Sequence, residues 1–190
     1  MNGVLIGAIV GGVLGVIALV IVFVIVVYNR MINARNKVEQ AFANIDVFLK
    51  KRYDLIPNLV NTVKGYVKHE NDTFSQITTL RGEAVNTNNM NHVIEANNKI
   101  SGSLRNMLAL TENYPTLKAD KHFLSLQNSL NDIEKHISET RIIYNDQANI
   151  YNTKLETFPN NLIAAMFKFE KSSLFVIADP KERENVIVEF

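Results

Sequence analysis

The feature that most constrains this chain is an uncharged run of 26 residues from Gly3 to Tyr28, dominated by valine, isoleucine and leucine. An α-helix needs about 20 apolar residues to cross the hydrocarbon core of a bilayer, so this run is long enough to span it with some tilt. A helix is expected there because a backbone in lipid must satisfy its own hydrogen bonds. We therefore predict that residues 1–28 form a transmembrane anchor, with residues 3–28 in contact with membrane lipid.

A cleavable signal peptide is the competing interpretation of this run. It fits poorly, because no Lys or Arg precedes the run, the run exceeds the usual apolar core of about 7–15 residues, and no Ala-x-Ala site follows. Three cations, Arg30, Arg35 and Lys37, come directly after the run. The positive-inside rule then predicts a single-pass protein of the cell membrane, with the N-terminus outside and the C-terminal domain in the cytoplasm.

Glycine recurs at every fourth position of the run, at Gly3, Gly7, Gly11 and Gly15. On a helix these positions form overlapping G-x-x-x-G units and a shallow groove that a second helix can approach closely. Glycine is also simply common in membrane helices. Self-association through this face is therefore a hypothesis, and its expected consequence is a homo-oligomer.

Residues 29–157 carry apolar side chains at spacings of three and four, which is typical of amphipathic helices. The longest such stripe predicts a helix of roughly 40 residues. It comprises Phe123, Leu126, Leu130, Ile133, Ile137, Thr140, Tyr144, Ala148, Tyr151, Leu155 and Phe158. Three shorter stripes precede it, and the polar segments 86–89 and 113–115 are expected to separate them.

These patterns predict an all-α protein in three parts. The transmembrane helix is followed by an antiparallel up-and-down four-helix bundle over residues 29–157. An irregular C-terminal tail, residues 158–190, is expected to pack on the bundle. A short helix is expected between Phe158 and Phe169, after Pro159, and Val186–Val188 has the pattern of an extended segment.

The end of the first bundle helix is open between two interpretations. In the preferred one the helix ends near Tyr53, Asp54 caps the next helix, and Pro57 lies in its first turn, where the missing N–H does least harm. In the other, one long helix continues through a kink at Pro57 to about His69.

Two blocks of the sequence resemble the signature of LemA-family proteins. The first is IDVFLKKRYDLIPNLV from Ile45 to Val60, followed by Val63-Lys64-Gly65-Tyr66 and His69-Glu70. The second comprises Tyr151-Asn152, Phe158-Pro159-Asn160-Asn161-Leu162-Ile163-Ala164 and Phe167-Lys168-Phe169. Tyr28-Asn29 also matches, and the blocks stand in the family's order and spacing.

The likeness covers nearly the whole chain and departs from the family at two positions. Phe42 stands where the family usually has Trp, and Lys168 where it usually has Gly. The resemblance implies a single-pass bacterial membrane protein with a four-helix bundle and its N-terminus outside. It implies no established enzymatic activity.

Motifs of catalysis and metal binding are missing from the sequence. There is no Cys, which excludes disulfides, thiol nucleophiles and Cys-ligated metals. No His is preceded at the third position by Glu, as a di-iron bundle requires, and there is no nucleophile elbow or P-loop. A net charge of +1 argues against nucleic acid as a partner. We therefore predict no catalytic, cofactor-binding or metal-binding residues, although a site assembled from several helices remains an alternative.

Two polar features need an interpretation. The basic run Lys50-Lys51-Arg52 is expected to be a solvated turn or to pair with acids on a neighbouring helix, because about 35 Å of helix separates it from the membrane and the Debye length is about 8 Å. The pairs Tyr144-Asn145 and Tyr151-Asn152, one heptad apart, favour a polar layer that fixes the register of the bundle. A ligand pocket at these pairs is the alternative.

The tail is the best candidate for binding. Its candidate partner surface is formed by Phe167, Phe169, Phe175 and Phe190. Packing of the tail on the flank of the bundle is the alternative that burial preferences favour. Together the patterns predict a non-enzymatic, membrane-anchored scaffold or adaptor that self-associates and presents its bundle to an unidentified protein partner. The alternatives are a ligand-sensing bundle domain and an enzyme with a site assembled between helices.

Overall fold

The structure is a computed structural model that describes residues 2–67, 71–87 and 89–175. The described residues form helices and contain no strand, which confirms the all-α class for this part of the chain. The helices are α1 (Asn2–Lys64), α2 (Asn71–Val85), α3 (Met90–Thr111), α4 (Pro115–Lys118), α5 (Lys121–Glu156) and α6 (Asn160–Met166). The segment Val186–Val188, expected to be extended, lies outside the described residues.

The burial pattern of α1 changes along its length. From Ile6 to Val26 its large apolar side chains are exposed except for the half-buried Val24, with Leu19 as much as 71% exposed. Beyond this run one side of the helix is buried at spacings of three and four, at Met31, Ala34, Val38, Ala41, Ile45 and Leu49. By length and composition, α1 is able to cross a membrane with its apolar part.

The helix continues through Pro57, so the preferred end near Tyr53 was wrong and the long-helix interpretation is the better one. Proline lacks the N–H that would bond to the carbonyl of Tyr53, four residues earlier. Arg81 of α2 replaces that donor, because its Nε lies 2.7 Å from the Tyr53 carbonyl oxygen. Asp54 is not a cap; it forms an exposed ion pair with Lys50 at 3.1 Å within α1.

Two compact units can be distinguished in the chain, and α1 and α5 each contribute to both. The first unit contains the residues up to Ala41 together with Tyr144–Ser172. Among the described residues, the second contains those of Phe42–Ile143 and Ser173–Phe175.

In the second unit α2 packs against α3, and the expected polar breaks are confirmed. Asn89 caps α3 by accepting a hydrogen bond from the Asn91 backbone N–H at 2.9 Å. Asp120 caps α5 in the same way, accepting from the backbone N–H groups of His122 at 2.8 Å and Phe123 at 2.9 Å. The break after α3 also contains the one-turn helix α4, which the sequence pattern did not predict.

The predicted core stripe of α5 is buried or half-buried from Phe123 to Leu155, but not at its end. Phe158 lies beyond the helix and is 75% exposed, so its assignment to the stripe was wrong.

The short helix expected after Pro159 is confirmed as α6, and it ends in a Schellman motif. The backbone N–H of Phe169 donates to the carbonyl of Ala164 at 2.9 Å, and that of Lys168 donates to Ala165 at 3.3 Å. Lys168 has a φ of 54°, the left-handed conformation in which this motif usually has Gly.

Candidate functional site

A polar cluster in the second unit is centred on Arg52, whose side chain is fully buried. Its Nη1 donates to Oε1 of Glu134 in α5 at 2.8 Å and to Oγ of Ser101 in α3 at 2.9 Å. Its Nη2 donates to Oδ1 of Asn97, and Asn97 donates through Nδ2 to the Val93 carbonyl at 2.7 Å. One guanidinium therefore connects α1, α3 and α5.

Positive charge exceeds negative charge in this cluster. Glu134, whose side chain is 35% exposed, faces both Arg52 and the half-buried Arg141. Burial lowers the pKa of Arg141, the charge of Arg52 lowers it further, and Glu134 opposes both. Among the described residues, Nε of Arg52 and Nε and Nη2 of Arg141 have no hydrogen-bond partner. The guanidinium of Arg141 lies 4.8 Å from the centre of the Phe175 ring, within cation–π distance.

The cluster offers hydrogen-bond donors rather than groups for acid–base catalysis. A guanidinium keeps its proton at the pH at which proteins work, and the Glu134 carboxylate is paired with Arg52. In the described ranges, no group of three or more His, Asp or Glu is placed to hold a metal ion. Because a buried ion pair forms in only one alignment of its helices, this geometry suits a role in fixing helix register.

The basic run containing Arg52 lies inside α1, so the expectation of a solvated turn was wrong. The expected pairing with an acid on a neighbouring helix is correct for Arg52 and Glu134. Lys50 and Lys51 are exposed, and Lys51 lies 5.2 Å from the centre of the Phe48 ring.

A cleft of about 350 Å³ opens on the second unit at Tyr53. Its lining mixes acids and bases, which are Asp46, Lys50, Asp54 and Arg81. Burial raises the pKa of the Tyr53 phenol, so this group is neutral at physiological pH. The tyrosines of the two Tyr-Asn pairs do not line this cleft.

In the first unit, the second Tyr-Asn pair binds the tail. The hydroxyl of Tyr151 donates to the carbonyl of Glu170 at 3.0 Å. Nδ2 of Asn152 donates to the Ser172 carbonyl at 2.9 Å, and the Ser172 N–H donates to Oδ1 of Asn152 at 2.9 Å. The register layer predicted for this pair was therefore wrong, because its polar atoms bind tail backbone. Tyr144 of the other pair is buried, which raises its pKa to about 12.

The tail also contacts α1 where the uncharged run ends. The ring of Tyr28 lies 4.8 Å from that of Phe167 and 5.6 Å from that of Phe169, between ring centres. Phe167 is 47% exposed, Phe169 is half-buried and Phe175 is buried. Phe190, the fourth member of the predicted partner surface, lies outside the described residues.

The four glycines of the predicted self-association face, Gly3, Gly7, Gly11 and Gly15, are all exposed on α1. A Cβ atom added at any of them would have no atom within 4 Å apart from the adjoining residues and the local backbone of α1. The single chain thus leaves space for side chains along this face.

The sequence indicated that Arg52 is buried, but the adjacent lysines suggested a solvated basic run instead. Arg52 continues the α1 stripe of Ile45, Leu49, Ile56 and Leu59 at spacings of three and four, and all four are buried. A charged residue at a core position is rare unless it is paired, so its place in the stripe, rather than its basic neighbours, indicated its role.

A model of the LemA family matches residues 41–190, which include the Arg52 cluster and the tail-binding pair. Protein LemA of Metamycoplasma hominis is 28% identical over 149 residues, an alignment that covers 77% of this chain and 68% of the relative. Magnetosome protein MamQ 2 of Paramagnetospirillum magneticum is 22% identical over 174 residues. MamQ of Magnetospirillum gryphiswaldense is also 22% identical, and the chain spans 64% of the length of each of these two proteins.

Proposed function

The chain belongs to the LemA family, and from this premise we propose that it is a non-enzymatic, membrane-anchored scaffold or adaptor. Residues 1–28 anchor it, and an antiparallel four-helix bundle lies in the cytoplasm. Glycine-mediated association of the anchors brings several bundles together, where they are available to a protein partner.

The observation that carries this proposal is the change of burial along α1. Apart from the half-buried Val24, the large apolar side chains from Ile6 to Val26 are exposed in the chain, and lipid is the surrounding that removes this apolar surface from water. Further along the same helix, Arg52 is buried among groups of α3 and α5. One helix thus combines an anchor with part of a packed helical core.

The cytoplasmic placement rests on the charges that follow the anchor. Arg30, Arg35 and Lys37 lie within ten residues of Tyr28, and only positive charge in this zone sets orientation strongly. Glu39, which forms an ion pair with Arg35 at 3.5 Å, is an acid and contributes little to this bias.

Self-association is tested by replacing Gly7 and Gly11 together with Leu. The single chain has space for both side chains, so a loss of oligomer would come from the contact between chains. Gly12→Leu is the control, because it adds the same side chain about 100° from Gly11 and about 140° from Gly7 around the helix. We expect cross-linking in native membranes to fall for the double variant and not for the control. Equal cross-linking of all three proteins contradicts the proposed association.

An enzyme with a site assembled between helices is the second candidate, and the gathering of Arg52, Glu134 and Arg141 in one partly buried cluster is the observation that favours it. The groups gathered there are suited to binding rather than to proton transfer. The ligand-sensing alternative is weakened at Tyr151 and Asn152, whose polar atoms bind the tail.

A partner is sought by affinity capture from native membranes with the full chain and with a chain lacking residues 170–190. A protein that is recovered with the full chain and lost with the truncated one supports an adaptor role for the tail. Recovery of the same proteins with both chains places the partner surface elsewhere.

A further inference from the structure

From the geometry of the first unit, we infer that α6 and Phe158, two residues before it, lie in the membrane interface, with an apolar face in contact with lipid. The segment 157–167, which contains α6, has no charged residue. This inference rests on the membrane anchor of the proposed function and adds a second lipid contact to it.

The helix α6 is apolar on two opposite sides. Ile163 and Ala164 are buried within the chain. Leu162 and Met166, four residues apart and so on one face of the helix, are 62% and 60% exposed. Phe158, just before the helix, is 75% exposed. A helix in contact with water normally carries polar side chains on its outer face. The apolar outer face of α6 is therefore expected to contact an apolar surface rather than water.

The position of α6 next to the end of the anchor indicates that this apolar surface is lipid. Tyr28 is the last residue of the uncharged run, at the place where tyrosine is enriched in membrane helices because its ring sits among the lipid headgroups. The ring of Phe167 packs on Tyr28 at 4.8 Å between centres. Because Phe167 directly follows α6, this contact brings the end of α6 to the level of the headgroups.

The Schellman motif keeps this contact in place. The left-handed conformation of Lys168 turns the chain sharply after α6, so that Phe169 also reaches Tyr28, at 5.6 Å between ring centres. Two aromatic rings thus hold the end of α6 against the exit of the anchor. A lipid surface is continuous with the anchor at this point, and it matches a short uncharged face better than a polar partner would.

Single cysteines test this inference cleanly, because the chain has none of its own. Leu162→Cys and Met166→Cys are labelled with an environment-sensitive fluorophore in the full chain, reconstituted in phosphatidylcholine–phosphatidylglycerol vesicles. Asn149→Cys, an exposed position of α5 in the same unit, is the control for a label in water. Val20→Cys reports on the anchor by itself.

We expect blue-shifted emission at 162 and 166, and a loss of intensity with lipids that carry a nitroxide near the headgroup. The label at 149 should keep its intensity. The inference is overturned if no lipid nitroxide quenches the labels at 162 and 166. This holds both when aqueous iodide quenches them and when a second copy or another protein shields them. The label at 20 separates the two claims, because quenching there by a nitroxide deep in the acyl chain shows that the anchor is inserted whatever α6 does.

Discussion

At the scale of single residues, Arg52 shows how a charge can be part of a helical core. Its guanidinium is fully buried, yet four hydrogen-bond acceptors of α3 and α5 surround it, and one of them is a carboxylate. A buried pair of this kind adds little net stability compared with apolar residues, but breaking it leaves an uncompensated charge. We therefore interpret the cluster as a device for helix register.

The first prediction follows from this asymmetry. Glu134→Gln should lower the free energy of unfolding by about 2–3 kcal/mol, somewhat less than for a fully buried pair because Glu134 is partly exposed. Glu134→Gln leaves the charge of Arg52 unpaired, and Arg52→Met removes that charge. Arg52→Met should therefore lower the free energy of unfolding less in the Glu134→Gln background than in the unmodified chain. Glu139→Gln, which breaks an exposed pair with His136, is the control and should change stability by less than about 1 kcal/mol. Denaturant unfolding in detergent measures the free energy of unfolding of the three single variants and the double variant. If the effects of Arg52→Met and Glu134→Gln add, the proposed coupling between these two residues is contradicted.

Asp120 gives the second prediction, a dependence of stability on pH. Hydrogen bonds from the backbone of Phe123, from the Tyr66 hydroxyl at 3.0 Å and from the backbone of His122 lower the pKa of Asp120. A carboxyl whose pKa is lower in the folded state stabilises the fold at any pH above its pKa in the unfolded chain, which is near 4. This stability is lost as the pH falls through the pKa of the folded state. Melting temperatures measured below about pH 4 should therefore fall less steeply for Asp120→Asn than for the unmodified chain. Equal slopes for both proteins contradict the assignment.

Lys168 gives the third prediction, at the turn after α6. A left-handed conformation costs an ordinary residue roughly 1–2 kcal/mol, and glycine avoids this cost while losing more backbone entropy on folding. Lys168→Gly should therefore raise the free energy of unfolding by up to about 1 kcal/mol. Lys168→Ala removes the same side chain but keeps the conformational cost, so it should bring no gain. Thermal unfolding compares the two, and equal melting temperatures contradict the argument.

At the scale of helices, the continuity of α1 depends on a contact with α2. Pro57 cannot bond to the Tyr53 carbonyl, and a buried carbonyl without a partner would be costly. Arg81 supplies the missing hydrogen bond at 2.7 Å. The proline therefore makes α1 dependent on α2 instead of ending it.

A double-mutant cycle tests this dependence. Arg81→Ala should lower the free energy of unfolding by about 1–3 kcal/mol, because the Tyr53 carbonyl is left without a donor. With Pro57→Ala in the same chain, the backbone N–H of residue 57 restores the bond within the helix, and Arg81→Ala should cost much less. The difference is read from denaturant unfolding; the same cost of Arg81→Ala in both backgrounds contradicts this role of Arg81.

Helix positions were predictable where only local patterns decide them. The stripe of α5, the breaks after α2 and α3, and the short helix after Pro159 follow from apolar spacing and turn residues. The end of α1 was not predictable in this way, because the partner of the Tyr53 carbonyl lies 28 residues away in sequence. The use of Tyr151 and Asn152 was missed for the same reason, since the tail backbone that they bind is about 20 residues distant.

At the scale of the whole molecule, the family match and the apolar helix agree on a membrane protein of the LemA type. The long apolar helix was predictable because a long uncharged run has few other stable solutions. The contact of Phe167 with Tyr28 was not, because the two residues lie about 140 positions apart and only the fold brings them together. Biological activity has the weakest sequence signal, since binding surfaces lack the fixed spacings of catalytic motifs.

The most direct test of the account is the accessibility of single cysteines in intact cells. Ser129→Cys, at an exposed position of α5, is treated with a membrane-impermeant maleimide before and after the cells are opened. Asn2→Cys, ahead of the uncharged run, is the matched reporter for the opposite side. We predict labelling at residue 2 in intact cells and labelling at residue 129 only after lysis. Labelling at residue 129 in intact cells would contradict a cytoplasmic bundle behind a transmembrane anchor.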